Sequence, residues 1–324
     1  MAQDPRPVVP AAGRPEAVAP APDRAPSAGP PPAPPGPPAA APGERRRPAW
    51  QRAGGRLAGY GVLAFFALLF IGPFVVAVAS SLKTRPQAAQ EPVSLIPDPL
   101  TFSAYERLAE ANFLRWTFVS IVMTVCITIG RLFLNSLAGY ALARLDFPLR
   151  RVVFGIVVAV LAIPPIVLAI PRFLVLGQLG LLNTWAGLIL PLAVDAFGVF
   201  LMKSFFESVP REMEEAARID GATIFQTYWR VVLPLATPAL IALTILSFQG
   251  AWNEFLMPLI AAPSDPSLRP LPVGLALLRG SFGENLDFPM LLGGSVLTTI
   301  PVAIIFFTFQ RYFVQGVASS GIKG

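Results

Sequence analysis

Histidine is absent from all 324 residues, cysteine occurs once, at Cys126, and lysine only at Lys83, Lys203 and Lys323. Without histidine the chain lacks the commonest metal ligand and the usual general base. A single cysteine inside an apolar run excludes an internal disulfide and a cysteine metal cluster. None of the lysines follows the glycines of a phosphate-cradling loop, the required positions before Lys203 being Phe197 and Met202. No catalytic residue, metal site, cofactor or ATP hydrolysis is therefore expected of this chain itself. Charge is scarce as well, at 14% of residues, where a soluble domain carries about a quarter.

What replaces charge is apolar surface: 54% of residues are hydrophobic and the mean hydropathy is +0.61, which places most of the chain in lipid. The net charge of +6 is bunched between apolar runs, a topological signal and not a nucleic-acid footprint. Residues 1–48 hold 16 prolines among Ala, Gly and a few charges. Such a segment cannot bury a core and reads as a disordered, partly extended tail. Six apolar runs follow, at about 57–79, 113–142, 152–171, 184–202, 236–260 and 290–313. Each approaches or exceeds the ~20 residues that cross a bilayer as a helix. The first run ends in a signal-like Ala77-Val78-Ala79, but it is longer than a signal core and reads as a retained span. The fold expected is an all-α integral membrane protein with six transmembrane helices.

Counting Lys and Arg orients it. With the N-terminus inside and the distal tail set aside, fourteen basic residues fall inside and seven outside, so both termini are expected in the cytosol. The loops 80–112 and 261–289 are then external. The two halves show no internal repeat, which weighs against transporters built on obvious inverted repeats.

The segment from Ser208 to Pro234, on the cytosolic side, carries the clearest local pattern. Ser208 is expected to cap a helix whose first turn holds Pro210, with Glu212, Glu214 and Glu215 at its positive end. Met213, Ala216, Ala217 and Asp220 share one side, low in bulk, and Gly221 ends the helix. Thr223 is expected to cap a second helix through Phe225, Tyr228, Trp229 and Val232, closed by Pro234. Two short helices at an angle suit a helix-in-groove contact with a partner; an amphipathic loop resting on the membrane surface fits the same pattern.

Glu215-Ala216-Ala217, then Gly221, then Val231 and Leu233-Pro234 resembles the coupling loop of permease subunits of binding-protein-dependent ABC importers, with Val in place of Ile. The strings Ala216 to Ala222, Trp252-Asn253-Glu254-Phe255, Ala141-Leu142-Ala143-Arg144 and the Gly316–Gly324 tail resemble the carbohydrate branch, specifically its maltose-type six-span subunit. The likeness covers about residues 57–324, the permease domain, and leaves out 1–48. It implies a multi-pass subunit of a prokaryotic cytoplasmic membrane, paired with a second homologous permease as a heterodimer. It also implies two ATP-binding subunits beneath, an extracytoplasmic solute-binding protein, and a carbohydrate as the solute. Glu215, Ala216, Ala217, Asp220, Gly221, Leu233 and Pro234 would be the ATPase-coupling residues, Glu215 pairing with a basic residue of that subunit. Another solute, such as a glycerol phosphate, an amino acid or a peptide, fits the same machinery; an ion-driven secondary transporter would need more mid-span carboxylates than Asp195.

Within the spans, Asp195, Trp252, Asn253 and Glu254 are candidates for the solute path: a ring beside amide and carboxylate groups suits sugar hydroxyls. Helix packing, gating or an interfacial belt accounts for the same residues. Arg131 has two readings. Residues 113–130 already span about 27 Å of helix, so Arg131 either snorkels at the inner headgroups or lines the translocation path. Pro164 and Pro165 mark a kink in the third run.

Overall fold

The structure, a computed structural model, describes residues 49–281 and 286–320, with side chains from 59 to 278 and from 286 to 310. The expected tail at 1–48 and the closing residues 321–324 lie outside the described residues. Backbone contacts divide the chain at Gly59; of Met1–Gly59 little is described beyond helical backbone from Ala49.

Helix α1, Ala49–Ser81, is followed by the short α2, Arg85–Gln90, and α3, Ser103–Glu110. Helix α4, Phe113–Arg144, is the long central element; α5, Arg150–Leu161, and α6, Ala169–Gln178, follow around a 3₁₀ turn at Pro165–Leu168. After α7, Trp185–Ile189, and a 3₁₀ turn, α8 runs over Ala196–Ser208. Then come α9, Glu212–Ile219, α10, Ile224–Thr227, a π-helical turn at Tyr228–Val232, and α11, Leu233–Leu235. Helices α12, Thr237–Trp252, α13, Leu256–Ala261, α14, Leu271–Ser281, and α15, Phe288–Ser320, complete the order. Among the described residues there is no strand.

Four helical stretches are long and apolar enough to cross a membrane: Gly59–Ser81, Phe113–Arg144, Trp185–Ser208 and Phe288–Gln310. Two bent pairs raise the number to six, in line with the all-α, six-span reading. The third crossing is not a straight helix. Arg150–Leu161 and Pro165–Gln178 meet at 104°, because Pro164 and Pro165 supply no N–H for the ladder and their rings clash with the preceding turn. The second bent pair, Ile224–Leu235 and Thr237–Trp252, meets at 79°, with Pro238 in the first turn of α12. Its helix stops at Trp252, and the stretch after Asn253 and Glu254 restarts as α13.

Helix α4 is the spine. Its N-terminal half packs Val119, Met123 and Ile127 against Leu188, Leu192, Ala251 and Met257. Its C-terminal half packs Tyr140 and Ala143 against Met202, Phe206, Tyr228 and Leu243. In lipid, where hydrocarbon competes equally for apolar side chains, close backbone approach does much of this packing. Two glycines permit it: a Cβ on Gly139 would sit 2.7 Å from Met202 Cβ and 2.8 Å from Lys203 N, and one on Gly198 would sit 2.0 Å from Asn135 Nδ2.

The segment after α1 is tied to the start of α15 by one carboxylate. Asp287 is fully buried and takes Arg85 at 2.7 Å and Arg107 at 2.8 Å, while its Oδ1 accepts from Met290 N at 3.2 Å. Burial pushes this carboxyl up, but hydrogen bonds from Arg107, Arg85 and Met290 outweigh it and hold the group below its ordinary value of 3.8. A lowered folded value means the unfolded chain binds the proton first, so this stabilisation is complete above about pH 4 and lost as pH falls through the folded value. Asp287→Asn is expected to lower the melting temperature at pH 7 and to flatten its fall below pH 4. An unchanged acid limb in a thermal scan series would refute the clamp.

Candidate coupling loop and polar spans

The loop between α8 and α12 is built by local signals. Helix α8 ends at Ser208, whose hydroxyl turns back to Phe205 O at 2.7 Å, and Val209 is extended. Ser208 is therefore the end of one helix and not the expected cap of the next; Arg211 stands at that cap without a side-chain bond. Three glutamates in the first turn of α9 and Arg218 in its last suit the helix dipole. Gly221, at φ +83°, closes α9 in a Schellman arrangement: Gly221 N bonds Arg218 O at 3.0 Å and Ala222 N bonds Ala217 O at 2.9 Å. Thr223 then caps α10 in a reciprocal box with Gln226.

The faces of α9 divide sharply. Glu215, Ala216, Asp220 and Gly221 are exposed and Ala217 is half-buried, as Leu233 is, while Pro234 is exposed. Met213, Ile219, Ile224, Phe225 and Trp229 are exposed too, Ile219 to 87%. A low-bulk, apolar surface with a carboxylate rim thus stands away from the bundle. Glu214 does the opposite. It is buried, 2.8 Å from Arg144 Nε at the end of α4, and takes the Tyr140 hydroxyl at 3.3 Å. Sequence reading passed over this pair. The signal was weak: three glutamates share one turn, and only the outward set 213, 216, 217 and 220 implies that 214 and 218 face elsewhere.

A second polar group sits between α4 and α8. Asp195 caps α8, accepting from Gly198 N at 2.7 Å, and pairs with Arg131 Nε at 3.0 Å. Arg131 Nε also donates to Leu192 O at 2.8 Å, and Asn135 exchanges bonds with Asp195. Arg131 thus has a counter-ion and a carbonyl acceptor where it stands. The pair keeps partial exposure, 15% and 27% of the two side chains, and Gly250 of α12 lies opposite, where a Cβ would come within 3.5 Å of Arg131 Nη1.

The other path candidates separate. Trp252 is 1% exposed; its ring stacks on Phe248 at 5.9 Å and its Nε1 donates to Thr298 O at 3.0 Å. That ring is taken up by helix packing. Asn253 is exposed and bonds back to Gln249 O at 2.9 Å, and Glu254 accepts from Met257 N at the start of α13, 3.0 Å away. Among the described residues, no three His, Cys, Asp or Glu side chains gather into a metal-holding group.

Comparison with known proteins agrees with this geometry. Residues 135–319 match the family described as binding-protein-dependent transport system inner membrane component. An arabinooligosaccharides transport system permease of Halalkalibacterium halodurans is 36% identical over 81% of this chain and 94% of its own. A sulfoquinovosyl glycerol transport system permease of Agrobacterium fabrum is 35% identical over 78% of this chain and 88% of its own. A chain in the crystal structure of a bacterial ABC transporter involved in the import of the acidic polysaccharide alginate superposes with a TM-score of 0.71 and 29% identity, over 82% of this chain and 99% of that one. The chain belongs to the family of binding-protein-dependent transport system inner membrane components.

Proposed function

We propose that this chain is the permease subunit of an ABC importer, carrying a carbohydrate inward across the cytoplasmic membrane with ATP hydrolysed by separate subunits. The observation that carries it is the α9–α10 loop: a capped, Gly-turned pair of short helices with an exposed apolar and small-residue face, on a chain with no phosphate loop of its own. Glu215, Ala216, Ala217, Asp220 and Gly221 present that face to one of two ATP-binding subunits, and Leu233 and Pro234 turn the chain back into the bundle. A second, homologous permease completes the pathway, and an extracytoplasmic binding protein delivers solute. Residues 57–324 form the transporting domain, the segment 1–48 is a cytosolic tether, and both termini lie inside. The saccharide and glycoside solutes of the two permeases compared above support a carbohydrate here. Arg131, Asp195, Asn253 and Glu254 are the polar groups offered to its hydroxyls, with Trp252 holding the helix that bears the last two. Asp195 is already engaged by Arg131, which counts against a proton-driven carrier.

The loop must contact the closed and open ATPase dimers differently, since a partner that binds both alike transmits nothing. The test is ATP hydrolysis in proteoliposomes holding this chain, its partner permease and ATPase subunits. Binding protein loaded with an oligosaccharide is expected to stimulate hydrolysis, and binding protein offered amino acids or peptides is not. Stimulation by peptides but not by saccharides would overturn the solute class.

A further inference from the structure

Ser136, Tyr140 and Arg144 lie four residues apart on α4 and so share one stripe of it. All three grip the coupling loop, and they grip both of its legs. Arg144 pairs with Glu214 of α9 at 2.8 Å, both side chains 5% exposed, and donates through Nη2 to Val209 O, just before α9. Tyr140 reaches Glu214 through its hydroxyl and lays its ring 5.0 Å from that of Tyr228 on the second leg. Ser136 Oγ and the Tyr228 hydroxyl are 2.8 Å apart, and Tyr228 opens the π-helical turn, a distortion that recurs at functional sites. The next positions on α4 face α8: Gly139 lies against Met202 and Lys203, and Asn135 and Arg131 bond Asp195.

We propose that this stripe is a strut fixing both legs of the coupling loop to α4, so that a push on α9 moves α4 and α8 as one body. Arg144 and Glu214 are its positioning residues. The proposal rests on the reading that the loop docks an ATP-binding partner. Helix α9 has only eight residues, too few to hold a fixed position by its own hydrogen bonds, so its placement comes from these anchors. A buried ion pair is poor evidence for stability, because desolvation offsets attraction. The positional constraint comes from the hydrogen bonds around it, Arg144 to Val209 O, Tyr140 to Glu214 and Ser136 with Tyr228. Rigid transmission across a loop requires that constraint, whereas a surface contact would slip.

The native Cys126, exposed on α4, provides one label site and Ile219→Cys on α9 the other, in the full-length chain assembled with cysteine-free partner permease and ATPase subunits in nanodiscs. Spin–spin distances are read without nucleotide and after trapping with ATP and vanadate. The wild-type pair is expected to keep one distance in both states. In Glu214→Gln and Arg144→Ala the distance should shift or broaden on trapping, with ATP hydrolysis continuing while solute uptake is lost, and Arg144→Lys should restore both. Glu214→Gln preserves size and serves where Arg144→Ala fails to fold. A wild-type distance that changes on trapping, or variants that keep both distance and uptake, would overturn the strut alone. A wild-type chain that retains no ATPase subunits would remove the docking reading, and the strut with it.

Discussion

Gly221→Pro is expected to abolish uptake and the retention of ATPase subunits on the tagged permease, while the chain still inserts and pairs with its proposed partner permease. Gly221 sits at φ +83°, and proline is locked near −65°. The substitution also deletes the N–H that bonds Arg218 O at 3.0 Å. Both changes undo the turn between α9 and α10, so the exposed face made by Glu215, Ala216 and Asp220 no longer meets that of Ile224 and Phe225 at a fixed angle. Insertion survives because nothing lies within 4 Å of the position a Cβ would take; the damage is confined to the loop. Gly221→Ala separates the two causes. It keeps the N–H and costs about 1 kcal/mol of left-handed strain, so it is expected to reduce uptake without eliminating it. Glu215→Lys, which reverses charge on the exposed rim and leaves the fold alone, is expected to match the proline variant in uptake. Uptake by Gly221→Pro near the wild-type rate would remove the loop from the transport cycle.

Asp195→Ala has the largest expected effect on stability. It leaves the Arg131 guanidinium inside the bundle with only the Leu192 carbonyl and slight exposure. Stranding a buried charge costs about 3 kcal/mol, at the low end because Arg131 is not wholly enclosed, and losing the α8 cap adds about 1 kcal/mol. The double variant Arg131→Leu with Asp195→Asn removes the charge and keeps a capping group, and is expected to recover most of the loss. Unfolding in lipid nanodiscs for Arg131→Leu, Asp195→Asn and the double of these two gives the coupling energy directly. Additive effects would mean that the 3.0 Å contact contributes nothing.

The parts legible in sequence were those fixed within a few residues. Runs of about twenty apolar residues gave the crossings, Thr223 gave a cap, and Gly221 gave a helix end, each by chemistry that needs no distant partner. Pro164 and Pro165 announced a kink, but its 104° sharpness depends on how α6 packs afterwards. Glu214 and Glu215 are neighbours of identical type, and which one turns inward is decided by Arg144, 70 residues away in the chain. Arg131 looked like an isolated charge because its counter-ion lies on another helix. Trp252 beside Asn253 and Glu254 suited either a solute path or helix packing, and composition alone does not show that the end of α12 sends the ring inward to Phe248 and leaves the amide outside. Ser208 had the composition of a cap and became a helix end, since Val209 and Pro210 shift the start of α9 onward.

The break at Pro164 and Pro165 imposes a condition on the surroundings of this chain. Where a helix folds back on itself so sharply, tight 3₁₀ bonds such as Ile163 N to Val160 O and Val167 N to Pro164 O replace the ladder, and hydrocarbon offers nothing to any carbonyl they leave over. That corner must face either water or another polypeptide. A solitary copy in a bilayer would have to draw moisture inward to satisfy it, so the hinge itself argues that this subunit lives in company.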